Sequence, residues 1–174
     1  VGCGIGPTDY GRYPREHGFN ISDAAHAMLG EPLYTPATLW ASIPRSVWVN
    51  VPESPFFGWL LEKCANAVGH ENVCIATSPT KDPECLAGKL EWIHDHFPPW
   101  MHRQYAITPR KHLLARADSL LIDDYRENTE RFEAHGGHAI LVPRPWNENW
   151  ASDPRDFLVE KLAAALQKLA PFPS

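Results

Sequence analysis

The sequence predicts an α/β fold, a doubly wound parallel sheet with a small N-terminal cap region. Three observations carry that prediction. From residue 55 onward, short apolar runs bounded by turn signals alternate with segments of helical periodicity. One such run, Ser119-Leu-Leu-Ile122, ends abruptly in two adjacent carboxylates, Asp123 and Asp124. Another, Ala139–Val142, follows a Gly136-Gly137 break, and runs of this kind read as buried parallel strands. Ligands bind beyond the carboxyl ends of strands in open α/β sheets, which is where the two acids fall. Adjacent carboxylates repel, so a cation is their natural neutraliser, and hard oxygen donors favour Mg²⁺.

The elements follow in order. Residues 1–36 are rich in Gly, Pro and Tyr, with one short helix expected over Ile21–Leu29, N-capped by Ser22. Thr38–Val51 is aromatic and interrupted by Pro44, so 1–54 reads as a cap-like, irregular or helical region and 55–174 as the core. Pro55–Val68 places Phe57, Leu60, Leu61, Cys64 and Val68 on one helical face and stops at Gly69. Asn72–Thr77 is a strand. Pro83–Phe97 is a helix with Leu86, Leu90, Ile93 and Phe97 inward, ended by Pro98-Pro99. Gln104–Ile107 and Ser119–Ile122 are strands, Arg126–His135 is a helix, and Ala139–Val142 is the last strand. A final helix starts at Asp153 as N-cap with Pro154 behind it, Phe157, Leu158, Leu162, Ala165, Leu166 and Leu169 facing inward.

Composition narrows the function. A net charge of −5 without any Lys/Arg run argues against a nucleic-acid partner. No apolar stretch is long enough to span a bilayer, so no membrane partner is expected. The four cysteines form no CxxC pair, and three have apolar neighbours; buried free thiols in a reducing, cytoplasmic compartment are expected. The chain starts on Val without a signal-peptide pattern, and a longer natural protein is expected.

Three segments carry candidate chemistry. Thr77-Ser-Pro-Thr-Lys81 joins a strand to a helix, where hydroxyls, free N–H groups and a Lys make an anion cradle; an ordinary capped turn is the competing reading. Lys111 lies between two strands, where a cation neutralises phosphate or holds a carboxylate ionised; a solvated loop Lys is the alternative. Asp123-Asp124 is the strongest, with helix capping by Asp124 as its alternative. The nine histidines make a poor transition-metal set: His94 and His96 point to different helix faces, and His135 and His138 are helix-end and loop residues.

The order Thr77-Ser-Pro-Thr-Lys81, Lys111, Leu121-Ile-Asp-Asp124 resembles the haloacid dehalogenase superfamily of phosphotransferases. It is most similar to its 5′(3′)-deoxyribonucleotidase and cytosolic type C nucleotidase branch. Glu84–Ile93 and Ala139–Asn147 also resemble segments of that branch, and the resemblance covers roughly residues 38–147. It implies an HAD-like Rossmannoid core and a Mg²⁺-dependent phosphoric monoester hydrolase acting on nucleoside monophosphates. Thr77 would bond the transferring phosphoryl group, Ser78 and Lys81 would add phosphate contacts, and Lys111 would pair with phosphate and nucleophile. Of Asp123 and Asp124, one would touch Mg²⁺ directly and one through water or a helix cap. Trp48 and Asn50 resemble a cap segment that touches the nucleoside.

In that family an Asp-x-Asp motif ends the central strand and supplies nucleophile and general acid–base. No Asp-x-Asp occurs in this sequence, and Asp9 is followed by Tyr-Gly-Arg. Gly11-Arg-Tyr-Pro14 resembles a segment downstream of the motif, so the motif is expected upstream of Val1. Two rivals stay open: a catalytically inactive phosphate or nucleotide binder, and a structural remnant held together by oligomerisation. A chain lacking the central strand would need a partner strand, as a homodimer could supply.

Overall fold

The computed structural model describes residues 11–29, 35–41 and 43–169; Asp9, Cys3 and the Gly2–Gly6 segment lie outside them. In chain order the elements are α1 (Ile21–Leu29), α2 (Pro36–Ala41), α3 (Arg45–Val49), α4 (Phe57–Val68), β1 (Ile75–Thr77), α5 (Pro83–His96), β2 (Tyr105–Ile107), β3 (Leu120–Asp123), α6 (Arg126–Ala134), β4 (His138–Leu141) and α7 (Pro154–Leu166). The fold is mixed α/β with small parallel sheets: β1 pairs with β2 and β3 with β4. The described residues divide into two compact units, one formed by 35–109 and the other by 11–29 with 110–169. No described helix is long and apolar enough to cross a membrane.

In the first unit, Ile93, Phe97 and Met101 form a buried cluster that Phe57, Leu61, Val73, Ile75, Trp92 and Trp100 cover. Apolar residues at helical spacing on α4 and α5 therefore meet over β1. β1 is shorter than the expected Asn72–Thr77. His70–Asn72 is a 3-10 turn instead, because the Asn72 amide donates to Val68 O at 2.7 Å and closes the end of α4. α5 starts as its sequence requires: the Asp82 carboxylate accepts from Glu84 N at 3.0 Å, with Pro83 in the first turn. Of its expected inner face, Ile93 and Phe97 are buried, whereas Leu86 is 37% exposed and Cys85 and Gly88 are buried in the first half of the helix. Gly88 explains the shift, since a Cβ there would sit 2.7 Å from Trp48 Cβ and 3.0 Å from Arg45 O. The missing side chain lets α3 lie directly on α5. Arg45 fastens the contact, donating to Glu91 at 2.9 Å.

In the second unit, α6 and α7 pack on the β3–β4 pair, and Leu121, Phe132, Ile140, Val142, Leu158 and Leu162 are buried. α7 has the expected cap, Asp153 Oδ1 accepting from Arg155 N at 2.9 Å and Asp156 N at 3.0 Å. α1 does not. Asn20, rather than Ser22, caps it: Asn20 Oδ1 accepts from Asp23 N at 3.3 Å and from the Ser22 hydroxyl at 2.7 Å. Ser22 is itself buried in the first turn. His138 opens β4 rather than lying in a loop, while His135 closes α6 with its ring 4.5 Å from that of His112.

The described cysteines are free thiols, but only Cys85 is buried; Cys64 is half-buried and Cys74 exposed. Burial pushes the Cys64 thiol up to about 11.

Gly88→Ala should cost about 1–3 kcal/mol, because rigid backbone and a Cβ must move; urea unfolding of both proteins measures this. A second expectation concerns pH. Partial burial, then His135, Arg110 and Arg131, lower the His112 pKa from its ordinary 6.5. The unfolded chain takes up this proton near 6.5 and the folded chain only at lower pH, so stability is full above that value and falls as pH drops. Thermal unfolding between pH 7 and pH 5 should therefore show a flatter loss in His112→Gln than in the parent.

Candidate functional site

The first unit carries a hydroxyl-rich turn at the carboxyl ends of its two strands. Thr77 ends β1, and its carbonyl accepts from Thr108 N at 2.9 Å. Ser78 Oγ donates to Thr108 O at 3.4 Å, so the turn is tied to the segment that leaves β2. Thr80 Oγ1 accepts from Asp82 N at 3.2 Å, which leads the chain into α5.

Into this turn reaches Lys89, to which the sequence reading assigned no role. Its ammonium donates to Thr77 Oγ1 at 3.0 Å and to Ser78 O at 2.5 Å, and lies 5.0 Å from the centre of the Trp48 ring. A hydroxyl that accepts from an ammonium directs its own proton elsewhere, so Thr77 becomes an oriented donor. The signal was available. Side chains on a helix lean toward its N-terminus, so a long Lys in the second turn reaches back to the loop preceding that helix.

The other candidates of this unit are placed differently. Lys81 is exposed on the turn. The Asn50 amide donates to Ser46 O at 2.6 Å, closing α3. The Trp48 ring stacks against Trp40 at 6.3 Å, and its indole N–H is buried without a hydrogen-bond partner.

The second unit gathers Lys111, Asp123 and Asp124. Lys111 opens a 3-10 turn, Lys111–Leu114, and its ammonium lies 2.6 Å from Asp123 Oδ2. Both side chains are nearly enclosed, at 12% and 3% exposure, so the pair is shielded from solvent. Asp123 is saturated. Its Oδ1 accepts from Tyr125 N at 2.9 Å, and the Asn128 amide spans both oxygens at 3.3 and 3.2 Å. Asp123, and not Asp124, therefore leads the chain into α6.

Asp124 is held by its backbone, its carbonyl accepting from the Asn147 amide at 3.0 Å and from the Trp146 indole at 3.2 Å. Desolvation, then the neighbouring Asp123, push its carboxyl above the ordinary carboxylate range; Arg144 and Lys111 pull the other way. Buried Asn147 also donates to Val142 O at 2.8 Å, joining the end of β4 to the acids. Aromatic rings from two segments meet nearby: Phe19 lies 4.3 Å from Tyr125 and 5.9 Å from Trp146. The acids stand out in the sequence, whereas Arg144 and Asn147 are marked only by lying in the Ala139–Asn147 segment and Asn128 only by its place in the Arg126–His135 helix.

The donors suit a hard cation. A carboxylate raised by burial and by a like charge is relieved by a metal ion, and carboxylate oxygens are the ligands Mg²⁺ takes. Among the described residues no group of three or more His, Cys, Asp or Glu could hold an ion, so water and phosphate oxygens would complete the shell of Asp124.

Comparison with known proteins points the same way. Residues 59–156 match the family model for the 5′ nucleotidase, deoxy (pyrimidine), cytosolic type C protein, a span that includes Thr77, Lys89, Lys111 and both acids. A 5′(3′)-deoxyribonucleotidase of Bacillus subtilis (strain 168) is 36% identical over 77 residues, which are 44% of this chain and 42% of that protein. A 5′(3′)-deoxyribonucleotidase of Bacillus phage SPbeta matches with the same figures. The chain thus covers about two-fifths of the length of these curated relatives. No solved structure matches it. With more than half of its residues matched, including the hydroxyl turn and the acid pair, the chain belongs to the haloacid dehalogenase-like family of cytosolic type C 5′-nucleotidases.

Proposed function

We propose that the protein is a Mg²⁺-dependent phosphatase of the 5′-nucleotidase type, hydrolysing nucleoside monophosphates. The observation that carries the reading is the enclosed Lys111–Asp123 pair with Asp124 beside it, at the carboxyl end of β3. A structural role alone does not require two adjacent acids and a Lys to be taken out of water together. The names of the Bacillus and phage relatives support the substrate class.

In this reading the Thr77 hydroxyl, Ser78 and Lys81 bind the phosphoryl oxygens. Lys89 and Lys111 offset charge that grows on those oxygens as the ester bond breaks. Asp123 holds the Lys111 side chain in place through their 2.6 Å contact. Asp124 is the direct metal ligand, because the oxygens of Asp123 already accept from Lys111, Tyr125 and Asn128. Mg²⁺, when bound, supplies Lewis-acid polarisation of a phosphoryl oxygen. The attacking carboxylate is assigned, through the family, to an Asp-x-Asp motif, which these 174 residues do not contain. The second reading is a phosphate or nucleotide binder without turnover, supported by the Thr77 hydroxyl that Lys89 orients on the Thr77–Ser78 turn. The doubly wound sheet, and the division into a cap-like region over 1–54 and a core over 55–174, belong to the same proposal.

Phosphate release from deoxyribonucleoside and ribonucleoside monophosphates, with Mg²⁺ and with chelator, separates the two. Metal-dependent release supports the phosphatase. Binding of inorganic phosphate without release supports the binder, and neither result would defeat both readings.

Two substitutions test the roles. Asp124→Asn should weaken Mg²⁺ binding about tenfold or more by calorimetry while the fold is kept; an unchanged affinity would remove Asp124 as a ligand. Asp123→Asn should act differently. It leaves Lys111 charged and enclosed without its counter-ion, at a cost of about 3–5 kcal/mol, measurable by denaturant unfolding.

A further inference from the structure

We propose that Trp48 is a positioning residue for Lys89: the face of its ring holds the ammonium on the Thr77–Ser78 turn and thereby sets how well that turn binds a phosphate group. This deepens the reading above and rests on it for the identity of the anion. Trp48, which the family resemblance assigns to a nucleoside, contacts one of the protein's own cations in the structure.

The geometry is specific. Two of the three ammonium protons of Lys89 are directed at Thr77 Oγ1 and Ser78 O, at 3.0 and 2.5 Å. The Trp48 ring centre lies 5.0 Å from the same nitrogen, within the range of cation–π attraction. The indole N–H, by contrast, has no hydrogen-bond partner though it is buried. The protein therefore uses the face of this ring and not its polar edge.

α3 exists to deliver that face. At five residues it is too short to be stable alone. It is held on α5 by the close approach at Gly88 and by Arg45, which engages Glu91 at 2.9 Å and lies 3.8 Å from Glu84. Trp40 stacks on Trp48 and fixes its tilt at 17° between planes. A π face attracts the ammonium without accepting its protons, which stay directed at Thr77 Oγ1 and Ser78 O.

The test uses competitive acetylation of lysines in the folded chain, read peptide by peptide by mass spectrometry, with exposed Lys81 as internal reference. In the parent, Lys89 should react several-fold more slowly than Lys81. Trp48→Leu should raise the Lys89 rate at least threefold and weaken inorganic phosphate binding by a similar factor. Trp48→Phe, which keeps an aromatic face and lacks the N–H, should stay within twofold of the parent in the Lys89 rate. A Lys89 rate unchanged in W48L, or raised equally in W48F and W48L, would overturn the proposal. Should W48L fail to fold, protein made with fluorinated tryptophans keeps the ring shape and drains the π face. Lys89 acetylation should then rise relative to Lys81, and an unchanged ratio would overturn the proposal. The two readings fail separately. A Lys89 rate that responds to Trp48 in a protein that binds no phosphate sinks the nucleotidase reading and leaves the positioning intact. Phosphate binding with a Lys89 rate indifferent to Trp48 does the reverse.

Discussion

The enclosed Lys111–Asp123 ion pair is the constraint on which the second unit depends. Moving an ammonium and a carboxylate out of water is costly, and their attraction offsets that cost only when the remaining lone pairs are also satisfied. Here they are: Tyr125 N and the Asn128 amide take the positions on Asp123 that Lys111 leaves. One carboxylate thus fixes three things at once, the end of β3, the start of α6 and the 3-10 turn bearing Lys111. None of these can shift without leaving a buried charge unpaired. Stability and the placement of the candidate chemistry are therefore the same property in this unit.

The first unit solves a similar problem with other means. There too a Lys reaches the carboxyl end of a strand, and Lys89 meets a hydroxyl, a carbonyl and a ring there. Lys111 is paired with the acid that ends β3, whereas the hydrogen bond from Lys89 orients the Thr77 hydroxyl that ends β1.

Much of this was legible in the sequence, and the failures have physical causes. The Asp153-Pro154 start of α7, the Asp123-Asp124 strand end and the strand–turn–helix around Thr77 follow from local rules, and the structure shows each. Local rules failed where a tertiary contact overrode them. Leu86 had the right spacing for the buried face of α5, but α3 presses on Gly88 and turns the helix toward Cys85. Ser22 is a good capping residue by type, yet Asn20 reaches Asp23 N first. Asn72 left the strand because its amide had a carbonyl of α4 to satisfy. In the site, charged residues beside turn signals were visible, while Lys89, Asn128 and Asn147 were not. Their roles come from side chains that span from a helix or loop to a strand end, and no periodicity reports that reach.

The acid pair shows how one dipeptide divides its labour. Alternation along β3 buries Asp123, whose carboxylate then becomes structural, fully hydrogen-bonded and ion-paired. Asp124 lies one residue beyond the strand, where its carbonyl, not its carboxyl, is tied to Asn147 and Trp146. Its carboxyl is left to face the repulsion of Asp123 in a partly desolvated place, which raises its proton affinity. A proton or a metal ion relieves that repulsion equally well in principle. In the proposed reading Mg²⁺, with phosphate oxygens and water to complete its shell, is the neutraliser. The first acid builds the strand end, and the repulsion it imposes on the second is what would suit the second to a metal ion.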